Sequence, residues 1–295
     1  MKFFTKRWLP EGTGEGEGKV GLVFVHGFVE HIERYDHVFP IYAQKGIEVF
    51  AFDQRGSGQT AANTNFIDRE LKLSKEKGVD KKLFLMGHSM GGGLVAAYAT
   101  RHPQPAGLKS LSGVICSSPL IKQTPAVATS PIVLRVGSVI GSLAPGMQVK
   151  VGKEPKQVKE GEEEQSWRGD ICRDKAVVKE YETDPYTAAI GSYKGVADML
   201  LGGIGIYNSD YKKFPPKLPI YLFHGDADKV TWHQATEELA EKLKNDVKAV
   251  DVEFHTFPGF WHETHNEPGE DKWTSINLTS DWIIKHKDSP SLAKL

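Results

Sequence analysis

The apolar run Leu83-Phe84-Leu85-Met86 passes without a break into Gly87-His88-Ser89-Met90-Gly91 and then into two more glycines. Few backbones accept such a junction. The run is short, apolar and bounded by glycine, so it reads as a buried strand, and residues 93–101 read as the helix that leaves it. Glycines flanking Ser89 let strand and helix approach closely, while the sharp turn strains Ser89 and exposes its Oγ. Runs at 20–25, 47–52, 111–116, 220–223 and 252–257 have the same buried-strand character, and residues 235–243 are again helical. Parallel strands need crossover connections, so this alternation predicts an α/β chain with a mostly parallel central sheet. In such a sheet ligands bind beyond the carboxyl ends of the strands.

Three segments stand outside these runs. MKFFTKRWLP has apolar pairs broken by charges and a proline, and reads as a first strand rather than a signal peptide. No helix follows the polar stretch at 11–18, which reads as the turn of an N-terminal hairpin and not as a phosphate loop. Between about Pro119 and Lys217 no strand series is visible, and the interval reads as a cap inserted between two core strands. From Pro131 onward Ile132, Val133, Val136, Val139, Ile140 and Leu143 recur at helical spacing. That apolar face either packs on the core or touches a lipid surface. The charged stretch at 150–164 reads as solvated surface.

Bulk properties narrow the function. The 295 residues carry 37 Lys and Arg against 38 Asp and Glu, so no net field favours nucleic acid, and none is expected as a partner. Cys116 and Cys172 are too few for a disulfide framework or a four-ligand zinc site, and a reducing, cytoplasmic setting is expected. No apolar run is long enough to span a bilayer. No metal cluster or nucleotide fingerprint is evident, so activity without a cofactor is expected.

A serine hydroxyl is a poor nucleophile until a base takes its proton, so a histidine and a buried acid are sought after Ser89. Ile220-Tyr221-Leu222-Phe223-His224-Gly225-Asp226-Ala227-Asp228 is a strand followed by a turn with two acids. The next strand ends in a turn carrying His262. The order Ser89, Asp228, His262 is that of α/β-hydrolases. Asp226 competes with Asp228 and His265 with His262; the losing acid would cap a helix or a loop. His88 reads as a structural neighbour and His255 as a strand residue. Phe24-Val25-His26-Gly27-Phe28 ends a third strand at the same edge, where the backbone N–H groups of Phe28 and Met90 would form an oxyanion hole. His26 and Asp53 read as residues that tighten their turns.

The segments HGFVEHIERYDHVF from His26, FDQRGSG from Phe52, FLMGHSMGGG from Phe84, YKGVADMLLGG from Tyr193, HGDADKV from His224 and GFWHETHNEPGEDKW from Gly259 span nearly the whole chain. Together they resemble the monoacylglycerol lipase group of α/β-hydrolases, particularly its fungal members. The resemblance implies an α/β-hydrolase core at 1–118 and 218–295, with the cap at 119–217. It implies the triad and oxyanion donors named above, and glycerol-side polar contacts from Glu30, Arg34 and His265. An acyl tail needs an apolar wall, for which Val136 and Ile140 of the cap helix are the candidates. Where the family usually has glycine this chain has Val29, and Asp53 and Ser89 are separated by only 36 residues.

The function expected is hydrolysis of long-chain monoacylglycerols to fatty acid and glycerol through an acyl-serine intermediate, with peripheral contact to a membrane or lipid droplet through the cap. General carboxylesterase or lysophospholipase activity uses the same machinery. A non-catalytic ligand-binding protein of this fold commonly lacks a triad member, and none is missing here. Dehalogenase or epoxide hydrolase chemistry would need a carboxylate in place of Ser89.

Overall fold

The structure, a computed structural model, describes residues 3–54, 57, 76–144, 147–150, 167–187 and 190–292. The short connection between Asp53 and Ser89 and the charged stretch at 150–164 lie mostly outside these residues.

A seven-stranded sheet organises the molecule. Its strands are β1 (Thr5–Trp8), β2 (Val20–Val25), β3 (Ile47–Phe52), β4 (Lys82–His88), β5 (Leu111–Ser117), β8 (Ile220–Gly225) and β9 (Val252–Phe257), in the order β1-β3-β2-β4-β5-β8-β9. Every pairing is parallel except that of β1 with β3. The apolar runs are continuous because both faces of the sheet are covered. Alternate residues serve opposite faces: Leu22 and Phe24 join Phe84 and Met86 in one cluster, while Val23 joins Leu83 and Leu85 in the other. Helix α2 (Met90–Thr100) buries Val95, Ala96 and Ala99 against the second cluster, and α7 (Asp271–Lys285) buries Ile276, Trp282 and Ile283 in the first. Helices α1 (Phe39–Gln44) and α6 (His233–Asn245) complete the two outer layers.

The N-terminal hairpin expectation is corrected. Strand β1 forms as expected, but it pairs with β3 and not with β2, so residues 9–19 cross to the far side of β3 instead of closing a hairpin. Buried Glu48 near the start of β3 anchors that crossing: its carboxylate accepts from Gly16 N at 2.9 Å and Gly18 N at 3.2 Å, and pairs with Lys81 at 2.7 Å.

After β5 the chain leaves the sheet and returns to it at β8. The intervening residues form α3 (Pro131–Leu143), α4 (Lys175–Thr183), α5 (Tyr193–Asn208) and a small antiparallel pair, β6 (Gln148–Lys150) with β7 (Ile190–Ser192). Helix α3 packs on α5 through its small positions. A β-carbon on Gly141 would stand 2.5 Å from the backbone nitrogen of Lys194. Leu134 is buried with Leu120 and Leu200. This orientation corrects the acyl-wall assignment, because glycine and Leu134 occupy the inward side and turn the other apolar positions outward. Val136 is 53% and Ile140 43% exposed, and Leu143 reaches 84%.

The junction read first from the sequence is also the most crowded point of the fold. A β-carbon on Gly91 would lie 2.0 Å from the Val25 carbonyl oxygen, and one on Gly87 would lie 2.2 Å from that of Gly91. Neither backbone can yield without moving a central strand. Gly91→Ala is therefore expected to destabilise the chain beyond the ~1 kcal/mol of an ordinary substitution. Thermal unfolding of the variant beside Gly202→Ala, whose β-carbon would meet nothing within 4 Å, checks this; equal melting temperatures would refute it.

Candidate active site

The ends of β4, β8 and β9 bring the three sequence candidates together. Ser89 lies between β4 and α2 with φ 54° and ψ −118°, a backbone conformation an L-residue with a side chain rarely adopts. Its own N–H donates to Ser117 O at 2.9 Å, and its carbonyl accepts from Leu120 N at 2.8 Å and Gly93 N at 3.0 Å. The turn is thus pinned on three sides while Oγ stays free to face the loop after β9. There His262 Nε2 stands 2.8 Å from Ser89 Oγ, and His262 Nδ1 stands 2.7 Å from Asp228 Oδ2. A carboxylate can only accept, so Nδ1 carries the proton and Nε2 offers its lone pair to the serine hydroxyl. This arrangement can draw a proton from Ser89 and return it to a leaving group.

Asp228 is buried and more fully satisfied than the sequence suggested. Besides His262, its Oδ2 accepts from His224 Nε2 at 2.9 Å and Thr231 Oγ1 at 2.8 Å, while Oδ1 accepts from the backbone N–H groups of Val230 (2.7 Å) and Thr231 (3.0 Å). Burial alone would raise its pKa, but the charge of His262 and the hydrogen bonds from His224 and His262 hold it far below the ordinary carboxylate range. Burial likewise pulls His262 down, yet Asp228, with lesser help from Glu263 and Glu30, carries its pKa above the ordinary histidine value. The rival acid is elsewhere: Asp226 Oδ1 accepts from Gly259 N at 2.6 Å and fixes the loop that delivers His262.

Around this relay lies a buried ionic cluster. Arg34 grips Glu263 with two hydrogen bonds, at 2.6 and 2.7 Å, and reaches Glu30 at 3.0 Å. Glu30 in turn accepts from Tyr35 OH at 3.0 Å and from the Gly27 backbone N–H. Burial and the charge of Glu263 push Glu30 up to about 7, against the pull of Arg34, whereas Arg34 overcomes the effect of burial on Glu263 and holds it very low. Both glutamates therefore spend their oxygens on protein groups. His265 is buried, stacked on Tyr35 at 4.7 Å and edge-on to His88 at 5.0 Å, and burial lowers its pKa to about 3. A cavity of about 10 Å³, lined in part by His88, Ser117, Thr264 and His265, lies in this region and is too small for an acyl chain.

The loop after β2 presses on Ser89. A β-carbon on Gly27 would stand 2.5 Å from a Glu30 carboxylate oxygen and 3.1 Å from the β-carbon of Ser89, so the glycine relieves crowding on both sides. Phe28 follows it, then Val29 at φ 61°. On the other side Met90 opens α2, where the helix dipole favours negative charge. His26 is a turn residue: its Nδ1 faces Gly27 O at 2.7 Å, its Nε2 accepts from Gln54 N at 2.8 Å, and burial drops its pKa to about 4. Asp53 is likewise buried, accepting from Ile32 N at 2.9 Å. His88 is buried against Ser117 Oγ at 3.1 Å, and His255 sits within β9. Val136 and Ile140 are not part of this assembly.

A family model described as "Serine aminopeptidase, S33" matches residues 16–269. The chain belongs to that family. Among relatives of this S33 member, a monoacylglycerol lipase from Mycolicibacterium smegmatis is 29% identical over 95% of this chain and 91% of its own length. A monoglyceride lipase from Saccharomyces cerevisiae is 26% identical over 97% and 90%. The crystal structure of a soluble variant of that yeast lipase with a substrate analog superimposes with a TM-score of 0.78, at 25% identity, covering 96% of this chain and 92% of the other. A Paleococcus ferrophilus monoacylglycerol lipase, 23% identical with a TM-score of 0.76 over 97% of this chain and all of its own, shares the fold. The α/β-hydrolase fold expected from the sequence, and the resemblance to monoacylglycerol lipases, are borne out.

Sequence reasoning missed His224, Thr231 and Glu263. His224 and Thr231 stand in the same strand-turn segment as Asp228, so their neighbourhood was visible, though their shared bond to one oxygen was not. Glu263 meets Arg34 across 229 residues, a pairing that no local pattern carries. Asp251, Glu253 and His286 form a group that could hold a metal ion, away from Ser89. His286 Nδ1 faces Trp282 O at 2.7 Å, Nε2 faces Asp251 at 3.1 Å, and Lys285 pairs with Glu253, so their charges are answered within the protein.

Replacing Asp228 with Asn is expected to lower kcat by about four decades, and Asp226→Asn far less. Steady-state hydrolysis of a soluble ester ranks the two. His262 must be neutral to accept the serine proton, and its pKa is raised, so kcat/KM should fall with decreasing pH through a midpoint above about 6.5. A midpoint clearly below that value would contradict the effect of Asp228.

Proposed function

We propose that this chain hydrolyses monoacylglycerols, with Ser89 as nucleophile, His262 as general base, Asp228 as the acid that orients it, and the Phe28 and Met90 N–H groups as oxyanion donors. The observation that carries the reading is the unbroken hydrogen-bonded line from Ser89 Oγ through His262 to Asp228 Oδ2, built on a strained turn. Relatives named as monoglyceride or monoacylglycerol lipases, from a bacterium, yeast and mammals, support the substrate class.

Residues 1–118 and 218–295 act as the core in this reading, and 119–217 as a cap. Beside the nucleophile, Met90, Val196 and Met199 pack against Leu120, Leu134 and Leu200, an apolar group suited to an acyl chain. It replaces Val136 and Ile140 as the wall. Glu30 and Arg34, whose polar atoms are engaged by the protein, shape the loop that carries Phe28; they do not bind glycerol through free groups.

The outward face of α3 has a different role. Ile132, Val133, Val136, Val139, Ile140 and Leu143 are all exposed on one short helix, a patch better matched to lipid than to water. Among the described residues no helix is long and apolar enough to cross a membrane. The α3 face would therefore rest on a lipid surface and deliver single-chain substrates to the cap.

Two measurements test this reading. In a panel of mono-, di- and triacylglycerols, short esters and lysophospholipids, long-chain monoacylglycerols should have the highest kcat/KM, and Ser89→Ala should lose roughly four or more decades of kcat while staying folded. Preference for another class would reassign the substrate. Val136→Asp with Ile140→Asp should lower binding to phosphatidylcholine vesicles at least tenfold and slow hydrolysis of vesicle-borne monoacylglycerol. A soluble short ester should be turned over as before; unchanged vesicle binding would remove the lipid-surface role.

A further inference from the structure

The loop that carries Phe28 does not hold its shape by itself. Val29 is β-branched and sits at φ 61°, where such residues are disfavoured, and so must be held by its surroundings. Those surroundings belong to the insertion. Val29 is buried in a cluster with Ile171, Cys172 and Tyr181, and Phe28, Val177 and Val178 pack against the same cluster. The Arg34 guanidinium lies 4.6 Å from the centre of the Tyr181 ring, and Glu263 N donates to Ile171 O at 2.7 Å.

One polar contact closes the arrangement. His31, two residues beyond Val29, is buried, and its Nε2 stands 2.7 Å from Asp184 Oδ2, across 153 residues of sequence. Asp184 is itself immobilised. Its other oxygen accepts from Tyr186 N at 2.8 Å, its N–H donates to Glu180 O at 3.0 Å, and its carbonyl accepts from Thr187 Oγ1 at 2.9 Å. The Tyr186 ring covers the His31 ring edge-on at 5.6 Å. His31 Nδ1 is buried with no hydrogen-bond partner among the described residues, and Glu33 Oε2 stands 3.9 Å from it, so Asp184 is the side chain that anchors that imidazole by a hydrogen bond.

We infer that Asp184 and His31 are positioning residues: the segment from Ile171 to Thr187 fixes the loop at Phe28 in the shape that aims its N–H at the developing oxyanion. The inference rests on the serine-hydrolase reading and on Phe28 as a donor. Its consequence is that this part of the insertion belongs to the catalytic apparatus and acts on substrates too short to touch a cap.

Steady-state kinetics on p-nitrophenyl acetate, with thermal melts as a control for folding, test the inference. Asp184→Ala and His31→Leu should each lower kcat about 10- to 100-fold with KM changed less than twofold, somewhat below the loss on deleting an oxyanion donor outright. The double variant should be no worse than either single one, as for two ends of one contact. His31→Gln, whose amide nitrogen reaches the place of Nε2, should recover most of the loss. Affinity for a boronic acid that forms a tetrahedral adduct on Ser89 should fall in step with kcat. Equal kcat in folded His31→Leu and His31→Gln, additive losses, or a loss confined to KM would overturn the proposal. Failure of the underlying reading looks different: the unaltered protein would then show neither turnover of the ester nor labelling of Ser89 by a fluorophosphonate.

Discussion

The backbone of Ser89 is the constraint on which the rest depends. A side-chain-bearing residue at φ 54° persists only where its surroundings leave no alternative. Here those surroundings are two glycines that no other residue can replace, a neighbouring strand whose Ser117 carbonyl takes the serine N–H, and a chain leaving β5 whose Leu120 N–H takes the serine carbonyl. Because the turn is locked to β2, β4 and β5 together, the loops at the ends of β2, β8 and β9 converge on one point. The relay is then a matter of which side chains those loops carry.

In the proposed mechanism, electrostatics turn that convergence into a usable base. Three carboxylates lie near His262, and each is treated differently. Asp228 is kept charged by five donors, Glu263 is neutralised by a two-pronged Arg34, and Glu30 is pushed towards its neutral form by burial. A histidine beside three fully charged, unpaired acids would stay protonated and be useless as a base. One strongly held carboxylate at the correct nitrogen fixes the tautomer and stabilises the imidazolium only as it forms. The buried Arg34 thus matters to the base even though it lies outside the relay.

What could be seen in the sequence follows from the range of each interaction. Strands β3 and β9 coincide with their apolar runs, and Ser89, Asp228 and His262 were legible because each follows a recognisable strand in a required order. The sequence leaves Asp226 as a rival to Asp228, since both fit the same turn; the structure separates them by what each oxygen meets, His262 in one case and Gly259 N in the other. The N-terminal stretch misled because a glycine-rich turn between two strands suggests a hairpin, whereas Glu48, some 30 residues on, draws that turn across the sheet. Helix α3 shows the limit of periodicity: the spacing of its apolar residues gave the helix and its face, but not which way the face points. Gly141 decides that, by letting the start of α5 approach on the other side.

The insertion carries two kinds of contact that no single motif announces. Helices α3 and α5 meet the core through apolar and small residues around Leu120 and Met90, contacts that are non-directional and tolerate sliding. The segment at 171–187 meets it through a half-buried carboxylate–imidazole bond, a backbone hydrogen bond and a guanidinium stacked on a ring, all of which depend on distance and angle. Directional contacts resist displacement where apolar ones adapt. On the proposed reading, an insertion built this way takes acyl chains of different length against α3 and α5 while the loop beside Ser89 keeps one geometry. Val29 fits the same logic, because a residue held at φ 61° that cannot relax alone is safe only beside a segment fixed by directional contacts.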